Sequence, residues 1–139
     1  MDAPTGDIDF EAGAMTVEIF DEHQRQQRKT GREMFITLCV WTGPEGAERT
    51  VAHSTLSCPP GDHDLPFLNQ WGTFVDRAHR GHRLGLAVKA ANVRQVQQAN
   101  PERTLVSTTN SPHNGPMVAI NEMMGFRPVE LSAEYLRRL

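Results

Sequence analysis

The sequence predicts a mixed α+β domain in which an antiparallel meander is followed by a β-α-β crossover. Three observations predict it. Three β-rich segments separated by Gly/Pro turns fill residues 33–76, a long helical pattern follows, and a short strand signal closes the crossover at residues 103–109. At 139 residues the chain has the length of one domain with a single core.

Residues 1–14 mix Asp, Gly, Pro and Ala without a period and read as an arm. Thr16 suits a helix N-cap. Glu18, Asp21 and Glu22 then crowd the early turns, and Arg25, Arg28 and Lys29 the late ones. That polarity matches the helix dipole, and Gly31 stands where a C-cap glycine would, so Thr16–Lys29 is expected to be helical. Its apolar stripe is modest: Met15, Ile19 and Phe20.

Glu33–Thr42 (EMFITLCVWT) is rich in β-formers and ends at Gly43-Pro44-Glu45-Gly46. Arg49–Ser57 alternates as an antiparallel partner should, and Cys58-Pro59-Pro60-Gly61-Asp62 breaks the chain. Asn69–Asp76 is the third strand, and Gly72 inside it marks a candidate bulge. Arg80–Gln98 reads as a helix closed by Asn100-Pro101, with Leu84, Val88 and Ala91 on one stripe and Leu86, Ala90 and Val93 on another. Arg103–Thr109 is a strand parallel to the third, Asn114–Met124 a further helix, and Pro128–Leu139 a strand with a helical turn. The chain is thus expected to be one domain: an arm (1–14), a helix and meander (15–71), a ligand-binding stretch (72–127) and a tail (128–139).

Composition narrows the function. Hydrophobic residues make up 38% and charged residues 22%, the balance of a globular chain. A net charge of −3 gives no general attraction to nucleic acid or to an anionic membrane. The apolar run Phe35–Trp41 is too short to cross a bilayer, and the start lacks the basic and apolar regions of a signal peptide. The expected location is therefore cytoplasmic. Cys39 and Cys58 form no CxxC and no four-ligand metal set; both fall in strands, where buried free thiols are the commoner state, and no metal is expected.

The chemistry concentrates in Thr73-Phe-Val-Asp-Arg-Ala-His-Arg-Gly-His-Arg-Leu-Gly85. A strand enters a glycine turn and then a helix whose first amides lack intrahelical partners, and Arg77, His79, Arg80, His82 and Arg83 surround that turn in an acidic chain. Local basicity against the global trend points to a phosphorylated ligand, while a glycine turn alone can be only a turn. The spacing is neither that of a P-loop nor that of a dinucleotide fingerprint. Further on, Asn114, Met117 and Asn121 share one helical face. Amides beside Met suit a groove that meets an amide-bearing ligand, although a helix cap at Asn114 and a partly exposed Asn121 would also account for them.

Together these segments resemble the GNAT acetyltransferase superfamily, in element order from Glu33 to Val129 and specifically from Gly72 to Phe126. Val75 followed by His79-Arg80-Gly81-His82-Arg83-Leu84-Gly85 resembles the pyrophosphate turn of that family. Asn110, Asn114, Met117, Asn121 and Gly125-Phe126 resemble its second motif, in the form N-x-x-x-N-x-x-M-x-x-x-N-x-x-x-G-F. The resemblance implies a third strand that bulges and splays from its neighbour. The opening would admit the pantetheine arm of acetyl-CoA along the backbone of Phe74 and Val75. It further implies pyrophosphate on the amides from Arg80 to Gly85 (Arg80, Gly81, His82, Arg83, Leu84, Gly85) and contacts from Asn110, Asn114 and Asn121. The implied reaction is direct attack by the amine of a small-molecule acceptor, with a base removing the ammonium proton and an acid protonating the thiolate.

Three departures stand out. Arg83 replaces the middle glycine of R-G-x-G-x-G. Asn121 occupies the place of the tyrosine that serves relatives as general acid, and an amide has no such proton to give; the one tyrosine is Tyr135. The third strand has no glutamate to act as base, which leaves His53 on the second strand as the foremost candidate, then Asp62, His63 and Asp64 in the following loop, and His113. In addition, only one helix precedes Glu33 where relatives begin with a strand–helix pair. An edge so exposed would need covering, by a homodimer partner or another domain. The competing reading is a non-catalytic GNAT-like module that binds acyl-CoA or a partner chain.

Overall fold

β1 (Glu33–Thr42), β2 (Glu48–Cys58) and β3 (Phe67–Val75) form an antiparallel meander, and β4 (Leu105–Ser107) adds to β3 in parallel, giving the order β1-β2-β3-β4. Before them runs α1 (Val17–Lys29); α2 (Leu84–Ala99) makes the β3–β4 crossover and α3 (Gly115–Met123) follows β4. The computed structural model describes residues 17–59 and 66–139. Thr16, Met15, Asp62, His63 and Asp64 lie outside these. The chain divides into two units, Met1–Thr109 and Asn110–Leu139.

In the first unit α1 ends as its sequence predicts. Gly31 takes φ 75, Gly31 N–H bonds Arg28 O at 3.0 Å and Arg32 N–H bonds Gln27 O at 3.2 Å, the paired closure of a Schellman cap. The apolar stripe is weaker than the expectation: no residue of α1 is buried, and Ile19 and Phe20 remain exposed.

Register decides the faces of the sheet. Phe35, Thr37 and Cys39 stand opposite Leu56, Ser54 and Ala52, and Leu56 stands opposite Gln70, so these side chains share one face. α2 covers it. The apolar centre comprises Leu56, Cys58, Leu68 and Val96, with Phe35, Val93 and Val106 packed around it. Both thiols are free, and burial pushes the Cys58 thiol up, which keeps it protonated. On the opposite face Leu38 pairs with His53 and His53 with Phe74.

Two boundaries correct the sequence reading. The helix begins at Leu84 rather than Arg80, because Gly81 (φ 82) and Arg83 (φ 58) hold left-handed conformations that no α-helix accepts. β4 spans three residues rather than Arg103–Thr109. Arg103 is buried instead, its Nη1 donating to Phe67 O at 3.1 Å, and only Leu105–Ser107 reach the ladder.

The buried stripe of α2 is also not the expected one. Gly85, Val88, Lys89, Asn92 and Val96 face inward, while Ala90 and Ala91 are exposed. Asn92 tolerates full burial because its Nδ2 donates to Phe35 O and Ser54 O, both at 3.0 Å, and its Oδ1 accepts from Thr37 Oγ1 at 3.1 Å.

In the second unit Asn114 caps α3, its Oδ1 accepting from Met117 N at 3.4 Å. The helix closes at Gly125 (φ 83), with Phe126 N–H on Asn121 O and Gly125 N–H on Glu122 O, both at 3.0 Å. Residues 128–139 form neither strand nor helix, against the expected strand; no ladder holds them, and Val129, Leu131 and Tyr135 are almost fully exposed. No helix among the described residues is long and apolar enough to cross a membrane.

Candidate functional site

The site is built where β3 runs on past the end of its ladder with β4 while staying paired to β2. Along β2 and β3 the register passes from Ser54↔Thr73 to Leu56↔Gln70, so Trp71 and Gly72 together oppose Thr55. This is a β-bulge at the expected glycine. On its other side β3 pairs with β4 only through Phe67↔Leu105, Leu68↔Val106 and Asn69↔Ser107. β3 then continues to Val75 after the ladder has stopped. A parallel pair that ends while one strand runs on leaves backbone along that edge for another extended group. Phe74 and Val75 lie in this stretch.

Beyond Val75 the chain turns sharply and is well tied down. Asp76 N–H bonds Val51 O at 2.7 Å, and the Asp76 carboxylate accepts Ala78 N–H at 3.0 Å while pairing with Arg49. Arg80 Nε donates to Val75 O at 3.2 Å, and His82 Nδ1 lies 3.1 Å from Arg80 O and 3.2 Å from His79 O. The backbone then passes through Gly81 and Arg83 into α2. Gly85 is buried in the first turn of that helix, whereas Gly81, His82 and Arg83 are exposed. Exposed turn amides, the amide end of a 16-residue helix and five basic side chains within Arg77–Arg83 thus meet at one place. That combination suits a diphosphate.

Arg83 occupies a conformation that favours glycine. The departure from R-G-x-G-x-G therefore changes the residue while keeping the backbone form that the glycine would adopt. Its side chain adds a cation where a relative would have only backbone.

His53 stands opposite Phe74 in the β2–β3 register, its ring 5.8 Å from that of Phe74 and 26° from parallel. Burial pushes its imidazole below the ordinary histidine range, which favours the neutral form a base requires. Nearby, Trp71 of the bulge is flanked by Arg32, 5.4 Å from its ring, and by His23 at 6.3 Å.

The remaining sequence candidates fall in the second unit. Asn110 is half-buried, Asn114 engages its side-chain oxygen in the helix cap, and Asn121 is buried at 6% exposure. His113 and Tyr135 are exposed. Among the described residues no cluster of His, Cys, Asp and Glu could hold a metal ion.

Sequence reasoning missed the polar layer beneath α2. Gln70 Nε2 donates to Ser54 Oγ at 3.1 Å and Thr55 O at 2.9 Å, Ser54 Oγ lies 3.2 Å from Thr73 Oγ1, and Lys89 is buried at 1% exposure on the same face as Asn92. Its signal was the placement of Lys89 and Asn92, which continue the Gly85 stripe at helical spacing.

Comparison with known proteins adds to this geometry. No protein-family model and no curated protein matches the chain. Among solved structures, a tandem GNAT protein from the clavulanic acid biosynthesis pathway is 32% identical, with a TM-score of 0.71 over 80% of this chain. The chain spans 33% of the length of that tandem protein. AAC(6')-Iy, in complex with the bisubstrate analog CoA-S-monomethyl-acetylneamine, is 17% identical with a TM-score of 0.60, covering 93% of this chain and 84% of its own. Glucosamine-6-phosphate N-acetyltransferase from Arabidopsis thaliana is 15% identical with a TM-score of 0.57, covering 90% of this chain and 81% of its own. At those lower identities the likeness is one of fold.

Proposed function

We propose, from the premise that this chain belongs to the GNAT superfamily, that it binds acetyl-CoA and carries its acetyl group to the amine of a small molecule. The observation that carries this reading is the continuation of β3 from Asn69 to Val75, past the end of the β4 ladder and into the basic turn. The pantetheine arm would lie along Phe74 and Val75, and the pyrophosphate on the amides from Arg80 to Gly85. Asn110, Asn114 and Asn121 are the amides proposed for the rest of the arm.

The bound thioester supplies an activated acyl carbon. The chain's own part is to orient it and move protons. His53, neutral at pH 7, takes the ammonium proton so that the amine lone pair can attack. Asn121 cannot return a proton to the departing thiolate; it can only hydrogen-bond the sulfur or a water, so water is the proposed donor. The solved relatives named for CoA-S-monomethyl-acetylneamine and for glucosamine-6-phosphate make amino sugars the first acceptors to try. Because β1 is the outer strand of the described sheet and exposes Leu38 and Val40, we further propose that a second copy or another domain covers it. A compact monomer in concentrated sedimentation runs would refute that.

Calorimetric titration with acetyl-CoA tests the cofactor reading. The expected outcome is micromolar binding that Arg80→Glu abolishes, since the change reverses charge at the turn. A wild type that binds no acetyl-CoA would overturn it. Binding without CoA release across an amine panel would instead support the non-catalytic module, the reading favoured by the Asn121 amide.

A further inference from the structure

Trp41 stands one residue before the end of β1, and strand alternation places it with Thr37 and Cys39 on the face that α2 covers. Its register partner is Arg49, whose guanidinium pairs with Asp76 at the head of the basic turn. The indole centroid lies 5.7 Å from that of His79, inside the turn, with the rings tilted by 57°. Trp41 also lies across Gly43: a Cβ at that position would meet its Cη2 and Cζ3 atoms at 2.6 Å. The missing side chain is what lets the indole rest on the backbone. Even so packed, Trp41 remains 44% exposed.

A large aromatic surface held in place, open to solvent and joined to a cationic turn fits one kind of ligand, a flat heteroaromatic ring attached to a phosphate. Neither feature alone would select it. A plain anion has no use for the indole, and an apolar ligand has none for Arg77, Arg80 and Arg83. In acetyl-CoA the purine is separated from the pyrophosphate by one ribose, so a diphosphate on the turn leaves the purine close to it.

We propose that Trp41, backed by Gly43 and adjoining His79, is the stacking platform for the purine ring of the cofactor's nucleotide end. This rests on the acetyl-CoA reading above and assigns a residue outside both GNAT-like motifs. Trp41 thereby selects the nucleotide-bearing cofactor over the bare phosphopantetheine arm.

The test is calorimetric titration of the full chain and its Trp41→Ala and Trp41→Phe variants with two probes, acetyl-CoA and 4'-phosphopantetheine, which lacks the purine. Trp41→Ala is expected to weaken acetyl-CoA binding by about tenfold while leaving 4'-phosphopantetheine unchanged, and Trp41→Phe to recover most of the loss. In a Trp71→Phe background Trp41 is the sole tryptophan of the two in the chain, and acetyl-CoA but not 4'-phosphopantetheine should quench its fluorescence. Unchanged acetyl-CoA affinity in Trp41→Ala, or equal weakening of both probes, would overturn the platform alone. Failure of the wild type to bind acetyl-CoA would overturn the cofactor reading and the platform with it.

Discussion

His53 and Phe74 stand directly opposite one another on β2 and β3, ring on ring at 5.8 Å, on the face of the sheet that α2 leaves uncovered. The pairing couples the candidate base to the strand proposed to carry the cofactor, and burial lowers the pKa of the imidazole. A base works only when neutral. Activity should therefore hold as pH drops through the usual histidine range and fall only as pH passes the lower, folded-state value. We expect kcat/KM for the acetylated amine to show that acidic limb, and His53→Gln to lose about 100-fold and flatten it. An unaltered pH profile in the variant would remove His53 from the mechanism.

Asn92 ties α2 to two strands at once through Phe35 O, Ser54 O and Thr37 Oγ1. Truncating it removes a donor from two carbonyls in a buried layer and leaves the Thr37 hydroxyl with Gln95 Oε1, 3.4 Å away, as its remaining acceptor. Asn92→Ala should cost about 2–3 kcal/mol in urea unfolding, with the midpoint shifting and the slope unchanged. A loss below half a kcal/mol, on the order of that at an ordinary surface site, would show that the layer rearranges without it.

These two residues mark the limit of what could be read in advance. β1 was legible to the residue because EMFITLCVWT is bracketed by Gly31 and by Gly43-Pro44. The bulge at Gly72, the glycine cap at Gly31 and the parallel crossover were legible for the same reason, since each has a local chemical cause. Asn92 was not, because its partners lie 57 and 38 residues away, and no local pattern says that an amide will turn inward to meet them. The start of α2 was misjudged for a related reason. Arginine is a good helix former, and only the path of the chain from β3 into α2 forces Arg83 to φ 58.

That turn yields a prediction of opposite signs. Gly81 and Arg83 both hold positive φ, and a Cβ at Gly81 would meet nothing within 4 Å, so the cost of adding one is purely that of the backbone. Gly81→Ala should lose about 1–2 kcal/mol. Arg83→Gly should gain up to about 1 kcal/mol, less than the full relief because glycine loses more chain entropy on folding. Urea unfolding of both variants is the check, and destabilisation by Arg83→Gly would mean that its side chain stabilises the fold by contacts that outweigh its backbone strain.

Lys89 gives the turn-to-sheet region a second titratable group. It is 1% exposed, and desolvation pulls its pKa from 10.5 down to about 8. Among the side chains that face the α2 side of the sheet the one carboxylate is Glu33, exposed and opposite Cys58 at the start of β1; the others are Phe35, Thr37, Cys39 and Trp41 from β1, Ala52, Ser54, Leu56 and Cys58 from β2, and Leu68, Gln70 and Thr73 from β3. A lowered folded-state value means that the unfolded chain holds the proton more tightly. Stability should thus rise as pH climbs from about 8 to 10.5, by at most about 1.4 kcal/mol per pH unit, and the gain should be lost again as pH falls through 8. Lys89→Met keeps the bulk of the side chain without the titrating amine. The difference in unfolding free energy between wild type and variant should therefore change across that window and be flat below it. A difference constant from pH 7 to 10.5 would mean that the buried amine binds its proton as firmly as it does in the unfolded chain, and that water reaches it through the layer beneath α2.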